Sequence, residues 1–133
     1  MSNDLILPMF AHIILCVSLY ALLTLARAPK VWGIGLRDDG ANPWGETEPR
    51  ISANLKNQFE WPLFFYIACL LQITTGETAG ALQTALAWIF VAGRVIHSVV
   101  QIGTNNIRLR GIVFTINFIA VLAMWAELAY RAL

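Results

Sequence analysis

An unbroken run from Leu5 to Ala26, 22 residues without a charge, constrains this chain more than any other feature. As a helix it is about 33 Å long, enough to cross a hydrocarbon core of about 30 Å. It reads as a span rather than a secretory signal. An acid, Asp4, precedes it instead of a positive charge, and the run is longer than a signal core. Gly111–Ala126 is a second uncharged run, reaching Leu133 if Glu127 and Arg131 lie at the interface. Phe59–Thr75 is apolar apart from Glu60 and Gln72, and Ala79–Ile102 apart from Gln83, Arg94, His97, Ser98 and Gln101. The faces away from these groups are almost continuously Leu, Ile, Phe, Val and Trp. The pattern therefore predicts an all-α integral membrane protein, one domain over residues 1–133, with four spans at about 5–26, 59–75, 79–102 and 111–131.

Composition agrees: 58% hydrophobic and 13% charged, against about 45–50% and 25% in soluble domains. A formal charge of +1 gives no field for nucleic acid. Cys16 and Cys69 sit far apart in apolar runs and read as small buried hydrophobes, and no metal-ligand spacing occurs.

Orientation follows from the basic residues. Arg27, Lys30, Arg37, Arg50, Lys56, Arg108 and Arg110, seven of the nine, fall in the connections between spans one and two and between spans three and four. That side is expected to be cytoplasmic, with both termini on the other face. The first connection, 27–49, holds four glycines and three prolines between Pro29 and Pro49, which disfavours regular structure. Asp38-Asp39-Gly40 and Asn42-Pro43 read as turns, and Trp32 and Trp44 suit the headgroup level. Helix is expected to resume at Thr47-Glu48-Pro49, projecting Arg50, Asn54, Lys56 and Asn57 into the cytoplasmic interface.

Polar groups inside spans carry the functional signal, since each persists only by facing a partner or a cavity. Glu60, Arg94 and His97 all fall in the cytoplasmic leaflet. Arg94, His97 and Gln101 form a stripe about 60° wide on one helix. Asn57 and Glu60 share a face, and Arg110, Phe114 and Asn117 repeat the spacing on span four. These stripes are expected to converge on a cation-rich pocket suited to a zwitterion, with Glu60 taking an ammonium and the cations taking carboxylates. A second reading of the same residues is structural. A Glu60–Arg94 pair would pin two helices, and Asn57, Gln101 and Asn117 would be interhelical hydrogen-bonding groups.

Asn57-Gln-Phe-Glu60-Trp-Pro62-Leu-Phe-Phe-Tyr66, then Arg94-Val-Ile-His97-Ser, then Asn106-x-x-x-Arg110, resembles the MAPEG family, the membrane-associated proteins in eicosanoid and glutathione metabolism. The wording of the first motif resembles a bacterial branch, which implies a bacterial inner membrane. The resemblance implies a four-helix bundle assembling as a homotrimer, with glutathione as co-substrate bound between subunits and a lipophilic second substrate entering from the bilayer. It implies that Lys56, Asn57, Glu60, Arg94, His97 and Gln101 contact glutathione and that Arg110 stabilises its thiolate. A thiol with a pKa of about 8.5 is mostly protonated at neutral pH, and an adjacent cation favours the thiolate. The chain departs from the family at Gln101 and Phe114, where Tyr is common, at Gly111, where Ser is common, and at Ala53, where some relatives are basic. The implied activity is a glutathione-dependent transferase or peroxidase. The lost hydroxyls keep a non-catalytic scaffold or ligand-binding protein open. A proton-coupled transporter using Glu60 is the third reading, and the surrounding arginines argue against it.

Overall fold

The computed structural model describes residues 4–133, and all regular structure among them is helical. In chain order the helices are α1 (Ile6–Trp32), α2 (Glu48–Asn57), α3 (Pro62–Thr74), α4 (Ala81–Gly103) and α5 (Ile107–Ala132). Helix is what an oily run must form in a bilayer, because it satisfies its own backbone. α1 continues beyond Ala26 through Arg27 and Lys30, and stops at Gly33. That residue takes a left-handed φ of 67°, which glycine adopts without strain, and its N–H returns to the Pro29 carbonyl at 3.0 Å.

Three helices, α1, α4 and α5, are long and apolar enough to cross a membrane. The region expected as a span at 59–75 is built differently. α3 holds 13 residues, about 20 Å of helix. It reaches further only by continuing from α2 through a tightened joint. Pro62 causes the joint: it has no N–H, and its ring crowds the carbonyl four residues back, at Gln58. Gln58, Phe59, Glu60, Leu63 and Phe64 each donate to the carbonyl three residues earlier, at 3.0–3.4 Å, so one turn is wound as a 3₁₀ segment.

The loop after α1 is held by side chains rather than by regular structure. Asp39 Oδ1 accepts from Ala41 N, Asn42 Oδ1 accepts from Trp44 N, and Asn42 Nδ2 donates to the Ala26 carbonyl. Arg27 pairs with Glu48 at 2.7 Å and fastens the end of α1 to the start of α2. α2 begins at Glu48 with Pro49 in its first turn, but Thr47 contributes no side-chain cap.

The core is in two parts. Phe65, Ala68, Cys69, Ala87, Phe90, Val121 and Met124 fill one end, with Phe65 stacked on Phe90 at 4.3 Å. Leu19, Leu23, Ala26, Ile51 and Leu55 fill the other. Between them lies a buried polar layer of His12, Asn54, Gln58, Arg94, His97 and Ser98. Large apolar side chains such as Phe10, Leu25, Leu63, Leu70 and Ile119 point outward, as a lipid-facing surface requires.

α4 and α5 make the most extensive pairing, turned back on each other through residues 104–106. Asn106 Oδ1 caps α5 by accepting from Leu109 N at 3.0 Å. Close approach depends on Gly93, where an added Cβ would overlap the Asn117 carboxamide. Gly93→Ala is expected to destabilise the fold by about 1–3 kcal/mol, the usual cost of overpacking. Adding Asn117→Ala should restore much of the loss in detergent unfolding. Additive losses in the double variant would contradict the contact.

Candidate functional site

α2 presents Arg50, Asn54 and Gln58 at a spacing of four, one inward stripe. α4 answers with Arg94, His97, Ser98 and Gln101, and α5 contributes Arg110 from its first turn. At the wide end of these stripes is an open cleft of about 380 Å³. Arg50, Ala53, Gln101, Asn105 and Arg110 are among its lining residues, and Arg50 Nη2 donates to Asn105 Oδ1.

Behind the cleft the buried layer forms one hydrogen-bonded line. Arg94 decides its direction, because a guanidinium only donates. Arg94 Nε donates to Gln58 Oε1 at 3.1 Å, which makes that atom the carboxamide oxygen. His12 must then donate to it from Nε2, at 2.8 Å, leaving Nδ1 as an acceptor toward the Tyr66 hydroxyl at 2.7 Å, which also reaches the Met9 carbonyl at 3.3 Å. On the other side Gln58 Nε2 donates to Asn54 Oδ1 at 3.1 Å and to Ser98 Oγ at 3.3 Å. Asn54 Nδ2 in turn donates to Gln101 Oε1 at 2.9 Å and approaches His97 Nδ1 at 3.5 Å. The result at the cleft is definite: the Gln101 oxygen is spent on Asn54, and its amide N–H groups remain. With Arg50 and Arg110, the cleft therefore holds two cationic donors beside the Gln101 amide, with Thr104, Asn105 and Asn106 as further polar lining.

The sequence-selected residues separate. Arg110 and Gln101 line the cleft. Arg94 does not; it is fully buried, and Nη1 and Nη2 have no partner among the described residues. His97 is buried behind Gln101, with its ring 6.1 Å from that of Phe114. Lys56 and Glu60 are exposed and Asn57 is half-buried. Their side chains make no hydrogen bond or ion pair among the described residues. The expected Glu60–Arg94 pair is thus replaced by Gln58–Arg94. Glu60 lies in the tightened joint after α2, where it is exposed, while Asn54 and Gln58 face inward and are buried. Asn54, expected at the interface, is instead completely buried. Sequence reasoning missed Gln58 and His12. The signal for Gln58 was its i+4 position from Asn54, four residues before Pro62. His12 was the polar exception within an otherwise apolar run.

The MAPEG family model matches residues 5–130, nearly the whole chain. The chain belongs to the MAPEG family. Together with the three apolar helices, this makes it an integral membrane protein. The MAPEG family includes glutathione transferases and peroxidases as well as non-catalytic members, and it is generally associated with glutathione. No curated protein and no solved structure matches the chain. Of the family departures, Gln101 has a replacement for the missing hydroxyl in its fixed N–H donors. Phe114 and Gly111 supply none.

Proposed function

We propose that this MAPEG protein is a membrane-bound glutathione transferase or peroxidase for lipophilic electrophiles, with glutathione in the Arg50–Gln101–Arg110 cleft and its thiolate held by Arg110. The observation that carries the reading is that Arg50, Arg110 and the Gln101 amide line one cleft, with the Gln101 oxygen turned to Asn54. Two guanidinium groups and a fixed amide suit carboxylates and a thiolate. The start of α5 adds the positive end of a helix dipole beside Arg110. When bound, glutathione supplies the sulfur nucleophile, conjugated to an electrophilic carbon or spent in reducing a hydroperoxide. Arg110 holds the negative charge that forms as the thiol proton leaves, while Arg50 and Gln101 hold the peptide in place.

The cleft suits the anionic half of that peptide, but no acid among the described residues lines it. Glu60, in the joint between α2 and α3, is exposed, as is Lys56 near the end of α2, and Asn57 is half-buried. Polar groups on the outside of a bilayer helix need a partner. In a homotrimer they would reach the neighbouring cleft, and Glu60 would meet the ammonium group. Arg94 and His97 then act from behind, by orienting Gln58, Asn54 and Gln101. The basic connections support a reading with the cleft on the cytoplasmic face of a bacterial inner membrane and both termini opposite.

Calorimetric titration of the detergent-solubilised protein with glutathione, alongside conjugation of a chlorodinitrobenzene, tests the proposal. Arg50→Ala is expected to raise KM for glutathione about tenfold with kcat nearly unchanged, the loss of one charge-assisted bond formed equally in ground and transition states. Absence of both binding heat and conjugation would favour a non-catalytic MAPEG scaffold.

A further inference from the structure

The turn between α4 and α5, Thr104-Asn105-Asn106, contributes all three of its residues to the lining of the cleft. Two of the three side chains hold the turn itself. Thr104 Oγ1 donates to the Val100 carbonyl at 2.7 Å and accepts from Asn106 N at 3.2 Å, at the end of α4. Asn106 Oδ1 accepts from Leu109 N at the start of α5. Asn105 does neither. Its one side-chain hydrogen bond among the described residues runs to Arg50 on α2, 55 positions away in the chain. A guanidinium only donates, so Asn105 turns its carboxamide oxygen to Arg50.

Arg50 has need of such a holder. It is half-buried, lines the cleft, and forms no ion pair among the described residues. A long side chain left free would have to be ordered by the ligand, and that ordering counts against affinity. Asn105 orders it beforehand, from across the cleft. The bond takes up one N–H of the guanidinium and leaves others for a ligand oxygen. Asn105 is also uncharged, so Arg50 keeps its full positive charge. An acid at this position would hold Arg50 as firmly and cancel the charge that a carboxylate ligand requires.

We propose that Asn105 is a positioning residue that holds Arg50 across the cleft and makes the site selective for thiols bearing a free carboxylate. The proposal rests on the reading of the cleft as the glutathione site. Asn105 acts through Arg50 and has no part in stabilising the sulfur, which falls to Arg110. A thiol without a carboxylate gains nothing from a held guanidinium, so the effect of Asn105 depends on the charge of the thiol.

The test compares glutathione with its diethyl ester, in which both carboxylates are masked, on the full-length protein in detergent. Kd is read by calorimetry and KM by conjugation of a chlorodinitrobenzene. Asn105→Ala should raise Kd and KM for glutathione about fivefold, the effect of about one flexible side chain ordered on binding. It should leave the values for the ester where they are. Asn105→Asp keeps the shape of the side chain and neutralises Arg50, and should raise KM for glutathione about tenfold, as loss of the cation does. Arg50→Ala with Asn105→Ala should be no worse than Arg50→Ala alone, because the second change removes a holder with nothing left to hold. Thermal unfolding should not move, since Thr104 and Asn106 keep the turn. An equal rise for acid and ester would overturn the proposal, because a misshapen cleft does not tell the two apart. So would losses that multiply in the double variant, or a KM that does not change. Absence of binding heat from glutathione in the unaltered protein would remove the thiol site and this proposal with it. Binding heat with the same preference for acid over ester in all variants would overturn the role of Asn105 alone.

Discussion

Replacing Arg110 by Ala is expected to lower glutathione conjugation at neutral pH by about 10- to 100-fold. An adjacent cation lowers an acidic group's pKa by about 1–3 units, and each unit changes the thiolate fraction tenfold while the thiol is mostly protonated. The sign is fixed: without the cation the bound thiol loses its proton at higher pH, so the pH–rate profile should move to the alkaline side. The loss should fall on kcat far more than on KM, because the charge on sulfur is complete only once the proton has left. The ultraviolet absorbance of bound thiolate reports the same shift without turnover. Arg110→Lys should recover part of it. Turnover and profile unchanged in Arg110→Ala would remove Arg110 from the chemistry, while leaving the cleft as a binding site.

Gln58→Ala is expected to be the most destabilising single substitution in the polar layer, by about 3–5 kcal/mol, the range for stranding a buried charge. The carboxamide accepts from His12 and Arg94 and donates to Asn54 and Ser98. Its removal strands the one Arg94 nitrogen that is hydrogen-bonded among the described residues, in a side chain that is fully enclosed. Water cannot easily repair the gap at this depth, since the two apolar core clusters flank the layer. Thermal unfolding in one detergent, compared with Lys56→Ala on the exposed face of α2, measures it. Equal stabilities would show that the layer is solvated. Variants that survive should also bind glutathione less well, because the Gln101 amide would no longer be held with its N–H groups toward the cleft.

Much of the fold was legible because a bilayer permits few solutions. Uncharged stretches at Leu5–Ala26 and Gly111–Ala126 had to be helical, and both lie within long helices. Pro62 was visible, but its consequence was not. Whether a proline opens a helix, kinks it or winds it into a 3₁₀ turn depends on which carbonyls find other donors. The site divided along the same line. Gln101 and Arg110, picked out as polar residues at helical spacing near span ends, both line the cleft. The expected Glu60–Arg94 pair does not form, because the spacing of Asn57 and Glu60 says that the two share a face without saying which way that face points. Asn54 and Gln58 settle the direction, and an uncharged amide in a sequence carries no mark of being buried.

Composition and the order of charged and oily residues were sufficient, without coordinates, to determine a membrane-embedded helical protein, and its motifs between Asn57 and Arg110 resemble the MAPEG family. Burying hydrocarbon and satisfying backbone groups are one-dimensional demands that each segment meets largely alone. Which cation meets which acceptor was decided only when four helices came together. A guanidinium reaches several neighbours, and its choice of Gln58 over Glu60 depends on the rotation of α2 against α4, a relation between segments 36 residues apart. From that one contact follow the direction of the hydrogen-bonded line and the donor face that Gln101 turns to the cleft.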